Sequence, residues 1–100
     1  MAKYELTIYG NNDEVIKKHE TDVVRWGVYM QALKAGKGIE EKTIEEQFEI
    51  VNSFVLKIFP ELTVEELEKA DGGDVMNTFR QLINETNKIG ANQKNAVGAE

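Results

Sequence analysis

Cysteine is absent from the sequence, and proline, histidine and tryptophan occur once each. Without cysteine the chain forms no disulfide and offers no thiolate for zinc binding or nucleophilic catalysis. No apolar run approaches the roughly 18 uncharged residues of a membrane span, and Met1 to Leu6 lacks the apolar core of a secretion signal. These absences predict a protein of a reducing cytoplasm that neither enters a membrane nor leaves through a classical signal.

Basic charge is also scarce. Twelve Lys and Arg side chains stand against eighteen Asp and Glu side chains, which gives a formal net charge of −6. Because an acidic chain is repelled by a polyphosphate backbone, nucleic acid is not an expected partner. A chain of 100 residues forms one domain, which we place at residues 1–87.

The sequence contains no group of residues spaced for catalysis or metal binding. The only histidine, His19, falls in a predicted strand, and we expect it to face solvent. The glutamates between Glu40 and Glu49 spread around the start of a helix, where the helix dipole favours them, instead of converging on an ion. No nucleophile has a base beside it, and Gly36 to Gly38 is too short for a phosphate loop. The sequence therefore predicts a protein with no enzymatic activity, cofactor or metal.

The local patterns predict an α+β fold. Apolar and polar residues alternate from Tyr4 to Tyr9, and the turn formers Gly10 to Asp13 follow, which predicts a β-hairpin over residues 3–20. Periodicity predicts four helices, at residues 22–35, 40–59, 63–70 and 74–87. Thr21 and Asp22 offer capping oxygens for the first, Pro60 ends the second, and Thr63 with Glu66 fits a capping box at the start of the third. The remainder is poor in apolar residues, which predicts a disordered polar tail over residues 88–100.

The first two predicted helices have more apolar surface than one core needs. The first has two apolar stripes on nearly opposite sides. One stripe is Val23, Trp26, Tyr29, Met30 and Leu33, and the other is Val24, Val28 and Ala32. The second helix is apolar on most sides from Ile50 to Phe59, so that half is either a central helix or an interface. Gly27 beside the first stripe indicates close approach of another backbone.

This apolar excess, together with the edges of the hairpin, predicts a protein that binds a partner or associates into a homo-oligomer. Large side chains contribute most where a groove closes over them. The predicted partner-binding residues are Trp26, Tyr29, Met30, Phe48 and Phe54.

One longer pattern is similar to a known family. Phe59-Pro60-Glu61-Leu62-Thr63-Val64-Glu65-Glu66-Leu67 is followed, after a gap, by Val75, Met76, Phe79, Leu82, Ile83 and Asn84. This pattern resembles the C-terminal half of the tail assembly chaperones of long-tailed, siphovirus-type phages and prophages of Gram-positive bacteria. The size, the N-terminal strand pair, the acidic helical middle and the polar tail are similar as well.

The resemblance implies a chaperone that binds the phage tape measure protein, and the major tail protein, before the tail tube polymerises. It implies action in the cytoplasm of the bacterial host and absence from the mature virion. Two other readings of the residues stay open. One is a small non-enzymatic adaptor or regulatory protein that dimerises through the second helix and binds a folded partner. The other is a small hydrolase, which only scattered carboxylates support.

Overall fold

The computed structural model describes the backbone of residues 3–98 and the side chains of residues 3–89. Its elements follow the order β1 (Tyr4–Tyr9), β2 (Val15–Thr21), α1 (Trp26–Gly36), a short 3₁₀ turn (Ile39–Glu41), α2 (Ile44–Ile58), α3 (Val64–Glu68) and α4 (Gly72–Gly98). The predicted α+β class, with an N-terminal hairpin and four helices, is confirmed.

The hairpin has one buried face, as the alternation in β1 predicts. The two strands pair antiparallel, with Leu6 opposite His19, and the register shifts at a bulge between Ile8 and Tyr9. Tyr4, Leu6 and Ile8 are fully buried. β1 therefore supplies one layer of the core.

The second edge of β1 is covered by the connection between α3 and α4. The amide of Tyr9 donates to the carbonyl of Lys69 at 3.0 Å, and the amide of Asp71 donates to the carbonyl of Thr7 at 2.8 Å. The amide of Thr7 donates to Asp74 Oδ2 at 3.0 Å. Of the two edges, only that of β2 lacks a neighbouring element in the described chain, and its lysines disfavour pairing with another strand. The hairpin edges thus offer less to a partner than the sequence suggests.

Helix α1 begins at Trp26 and not at residue 22, because the predicted capping oxygens have other partners. Asp22 Oδ1 accepts from the amide of Lys3 at 2.7 Å, and Thr21 Oγ1 accepts from the amide of Val23 at 3.2 Å. Both bonds hold the end of β2 in an extended turn. The helix then starts after Arg25 without a side-chain cap.

The helix predicted over residues 40–59 is divided into the 3₁₀ turn and α2. Thr43 is the reason, since its side chain accepts from the amide of Glu46 while Glu46 reaches back to the amide of Thr43. The predicted end before Pro60 is confirmed. Thr63 and Glu66 form a second capping box at the start of α3, also as predicted.

The core lies where α1, α2 and α4 pack together over the inner face of β1. Val51, Phe54, Val55, Ile58 and Phe59 are all buried there. The apolar half of α2 is therefore the central helix of the domain. The alternative that this half is an interface is wrong.

Helix α4 contains the whole predicted segment 74–87, and Phe79 and Leu82 on its apolar face are buried. The disordered tail predicted for residues 88–100 falls almost entirely on residues whose side chains lie outside the described set. Residues 99 and 100 lie outside the described backbone as well.

The prediction for Gly27 is wrong. A Cβ atom built on this residue meets no atom within 4 Å. The side of α1 beside Gly27 is open, and no backbone among the described residues approaches it.

Candidate partner-binding surface

Three large apolar side chains of α1 point away from the core. We call Trp26, Met30 and Leu33 the α1 stripe. All three are exposed, and Trp26 has 57% of its surface accessible. Val28 and Ala32 lie on the opposite side of the helix and are buried. A helix turns about 100° per residue, so the buried and exposed positions form two separate faces. Of the two apolar stripes in the sequence, the one with the larger side chains faces solvent.

Tyr29 lies at the border of the α1 stripe and has a structural contact. Its hydroxyl donates to Glu85 Oε2 on α4 at 3.0 Å, and the ring is half-buried. The rings of Tyr29 and Trp26 have centroids 6.3 Å apart and are tilted by 54°. Tyr29 therefore supports Trp26 from the side and offers a partner only part of its own surface.

Glu85 joins three elements through a single carboxylate. Its Oε2 accepts hydrogen bonds from the hydroxyls of Tyr4 and Tyr29, each at 3.0 Å, and lies 3.0 Å from Lys3 Nζ. Burial alone raises the pKa of Glu85, but the bonds from Lys3, Tyr29 and Tyr4 outweigh burial and lower it overall. Burial and the bond to Glu85 raise the pKa of Tyr4. This cluster holds α1 against β1 and α4, and the sequence pattern gives no signal for it.

The first turns of α2 extend past the core. We call Ile44 and Phe48 the α2 tip. Phe48 is 59% exposed, and Ile44 is exposed as well. Both lie on the helix face that further along includes Val51 and Val55, which are buried. The α2 tip thus continues the core face beyond the last element that packs on it.

Phe54 is not available to a partner, and its prediction as a partner-binding residue is corrected. It is only 4% exposed. Its ring centroid lies 6.1 Å from that of Phe79 on α4, and Lys57 Nζ lies 5.1 Å above the ring. Phe54 also forms the floor of a depression beside Ala35 and Ile50. The residue holds α2 against α4, so its substitution tests the fold.

The two exposed apolar patches differ in the charge around them. From Val23 to Ile39 the only charged residues are Arg25, Lys34 and Lys37, and all three are exposed. From residue 40 to 49 there are five exposed glutamates and one lysine. Within the described side chains, no salt bridge involves any of these residues. The α1 stripe is therefore bordered by positive charges, and the α2 tip by negative charges, that take part in no salt bridge among the described side chains.

The expectation that His19 faces solvent is wrong. The side chain is 6% exposed, and Nε2 lies 3.1 Å from Glu66 Oε1. The strand register places His19 opposite Leu6 on the inner face of the sheet, where its ring packs 6.1 Å from that of Phe59. The residue belongs to the interior of the fold.

Glu66 has an unusually acidic carboxyl group. A hydrogen bond to the backbone of Thr63, with further bonds from Lys17 and His19, lowers the pKa of Glu66 to about 2. Lys17 Nζ lies 3.1 Å from Glu66 Oε2. One carboxylate thus caps α3 and fastens β2 to it, which is a structural task.

Sites for ions and membranes are not found in the described part of the chain. Across its resolved side chains, no group of three or more histidine, aspartate or glutamate residues is arranged to hold a metal ion. Every described helix is too short or too polar to cross a lipid bilayer. Among the described residues, large apolar side chains are also exposed at Val15, Ile16, Val23, Val64 and Met76, but the α1 stripe and the α2 tip are the exposed patches that include an aromatic ring.

Comparisons with protein families, with curated proteins and with solved structures returned no match for the chain. Of the five predicted partner-binding residues, the structure leaves Trp26, Met30 and Phe48 exposed, Tyr29 half-buried and Phe54 buried. Leu33 and Ile44 extend the exposed patches, and only their apolar spacing in the sequence points to them.

Proposed function

We propose that the chain is a phage tail assembly chaperone without enzymatic activity. In this role it binds the tape measure protein in the cytoplasm of the bacterial host and keeps it soluble until the tail tube polymerises. It also contacts the major tail protein and is absent from the mature virion. The observation that supports the proposal best is the α1 stripe, where three large apolar side chains lie exposed on one helix face.

Exposing apolar side chains to water is unfavourable in free energy, and binding a partner over them removes this penalty. Each large apolar side chain that moves from water into a contact contributes about 1.5 to 3 kcal/mol. Trp26 and Met30 belong to residue types that are enriched in the centres of interfaces. A tape measure protein is long, helical and apolar, so its helices present the complementary kind of stripe, in the manner of a helix bound in a groove.

The charge of the chain suits this role. A complex between the chaperone and an apolar client gains solubility from the net charge of −6, because like-charged particles repel one another. Eleven of the eighteen acidic residues lie between residues 40 and 74, and none lies on α1. The net negative charge of the chain therefore comes from segments other than the helix that carries the α1 stripe.

Coexpression with a tape measure fragment from the same genome tests the proposal. The parent chain should move the fragment from the insoluble to the soluble fraction and copurify with it. Trp26→Ala and Met30→Ala should lose most of this effect while keeping the circular dichroism of the parent. Ile16→Ala is the matched control, because Ile16 on the hairpin has the same exposed fraction as Trp26, 57%.

Two results would contradict the proposal in different ways. If the parent chain leaves the fragment insoluble, the chaperone function is wrong, and the adaptor alternative gains support. If Ile16→Ala loses the effect while folded Trp26→Ala keeps it, the function stands but the binding surface is the hairpin.

A further inference from the structure

The two exposed apolar patches are complementary to each other. The α1 stripe is bordered by Arg25, Lys34 and Lys37, with no acidic residue between Val23 and Ile39. The α2 tip is bordered by glutamates on both sides of Ile44 and Phe48. One patch therefore offers apolar surface with positive charge around it, and the other offers apolar surface with negative charge around it.

Within one chain the α1 stripe and the α2 tip do not bury each other. Trp26 and Phe48 each keep more than half of their surface exposed. None of the bordering charges takes part in a salt bridge among the described side chains. Helices α1 and α2 already pack on each other, and Ala35, Ile50 and Phe54 line a depression between them. After folding, the α1 stripe and the α2 tip of a single copy therefore both remain exposed.

We propose that a second copy of this chain docks its α2 tip on the α1 stripe. Ile44 and Phe48 of one copy pack on Trp26, Met30 and Leu33 of the other, and the glutamates meet the basic residues at the rim. Because opposite charges at a rim guide association and fix orientation, the stripe prefers the α2 tip to another α1 stripe. The contact joins unlike surfaces, as in head-to-tail association.

Docking of a second copy does not require the tape measure protein, but it occupies the same α1 stripe. Self-association covers the α1 stripe in the absence of a client. A client helix that binds there displaces the second copy, so the two occupants compete. In solution the chain then keeps its apolar stripe out of water until a client is present.

The absence of cysteine permits a direct test by thiol cross-linking. Gly27→Cys places a thiol beside the α1 stripe, where an added Cβ meets no atom within 4 Å. Asn52→Cys places a thiol one turn beyond Phe48 at an exposed position of α2. Both substitutions leave the bordering charges in place. A short bis-maleimide is added to each variant alone and to their equimolar mixture, without any client.

The mixture should give a cross-linked heterodimer, identified by mass, in at least fivefold greater yield than either variant gives alone. Lys18→Cys, on the hairpin, mixed with Gly27→Cys is the control and should give no such excess. Preferential linking of Gly27→Cys to itself would overturn the proposal in favour of stripe-to-stripe pairing. Equal yields in all mixtures would also overturn it.

A charge exchange gives a second test that leaves the apolar contact intact. Lys34→Glu should weaken association several-fold in sedimentation at low salt, and Glu45→Lys should do the same. In a mixture, the unaltered α1 stripe of the Glu45→Lys variant can dock on the unaltered α2 tip of the Lys34→Glu variant, so association should be restored.

A parent chain that is monomeric at micromolar concentration contradicts the docking of a second copy even if the chain solubilises the tape measure. Association without solubilisation contradicts only the proposed function.

Discussion

Phe48 and Phe54 lie on the same helix, six residues apart, in opposite environments. Phe54 is 4% exposed and packs on Phe79, whereas Phe48 is 59% exposed. The difference arises because α1 and α4 cover the later turns of α2 and not its first turns. In the sequence both residues are apolar positions of one predicted helix, so the pattern does not distinguish them. What decides their roles is the length of α2 relative to the elements that pack on it.

The largest expected effect separates these two phenylalanines. Phe54→Ala should lower the free energy of unfolding by about 3 to 5 kcal/mol, because it leaves a cavity between α2 and α4. Phe79→Ala should cost a similar amount. Phe48→Ala should change the free energy of unfolding by no more than about 0.5 kcal/mol. Urea denaturation followed by circular dichroism measures all three, and equal losses for Phe48→Ala and Phe54→Ala would contradict the described core.

The two capping boxes offer a comparison with a smaller effect. Glu46 caps α2 alone, whereas Glu66 caps α3 and also binds Lys17 and His19 of β2. The pKa of Glu66 is lowered from 4.5 to about 2. A lowered carboxyl pKa stabilises the fold above the unfolded pKa, and this stabilisation is lost as the pH falls through the folded pKa.

The free energy of unfolding should therefore decrease between about pH 4.5 and about pH 2. Glu66→Gln should make this decrease shallower, and it should do so more than Glu46→Gln, which has no partner on another element. Urea titrations at a series of pH values in that window make the comparison. If the free energy of unfolding depends on pH equally steeply in the two variants, the attachment of α3 to β2 through Glu66 does not contribute measurably to stability.

The smallest expected effect lies beside the α1 stripe. Gly27→Ala should raise the free energy of unfolding by about 0.5 kcal/mol, since alanine loses less backbone entropy in a helix and the added methyl group meets open space. Thermal unfolding of the variant and the parent measures it. A destabilised variant would show that another backbone does approach Gly27.

Much of the fold is predictable from the sequence because its signals are local. The alternation in β1, the capping box at Thr63 and the stop at Pro60 all act within a few residues. The capping box at Thr43 is equally local, but the prediction of one helix over residues 40–59 missed it. The start of α1 is not predictable in this way, because Asp22 Oδ1 accepts a hydrogen bond from the amide of Lys3, just before β1. The burial of His19 depends on strand register and on Glu66, which is 47 residues away.

The candidate surface is predictable only in part. The periodicity of α1 gives two apolar stripes but does not say which one faces the core. Val28 and Ala32 are small and allow α1 to pack closely on α4, which leaves the larger side chains of Trp26 and Met30 outside. Tyr29 is fixed by Glu85, 56 residues further along the chain. Contacts between residues so far apart in the chain produce no periodic pattern in the sequence.

Trp26 is the only tryptophan, so its fluorescence reports on the α1 stripe directly. The measurement is its emission maximum and its quenching by acrylamide, at a protein concentration low enough to give monomers, while a soluble tape measure helix is titrated in. The free chain should give red-shifted, readily quenched emission, and binding of the helix should shift the emission to the blue and protect it from quenching. A helix that binds, as judged by sedimentation, without changing either signal would contradict the claim that the α1 stripe is the partner-binding surface.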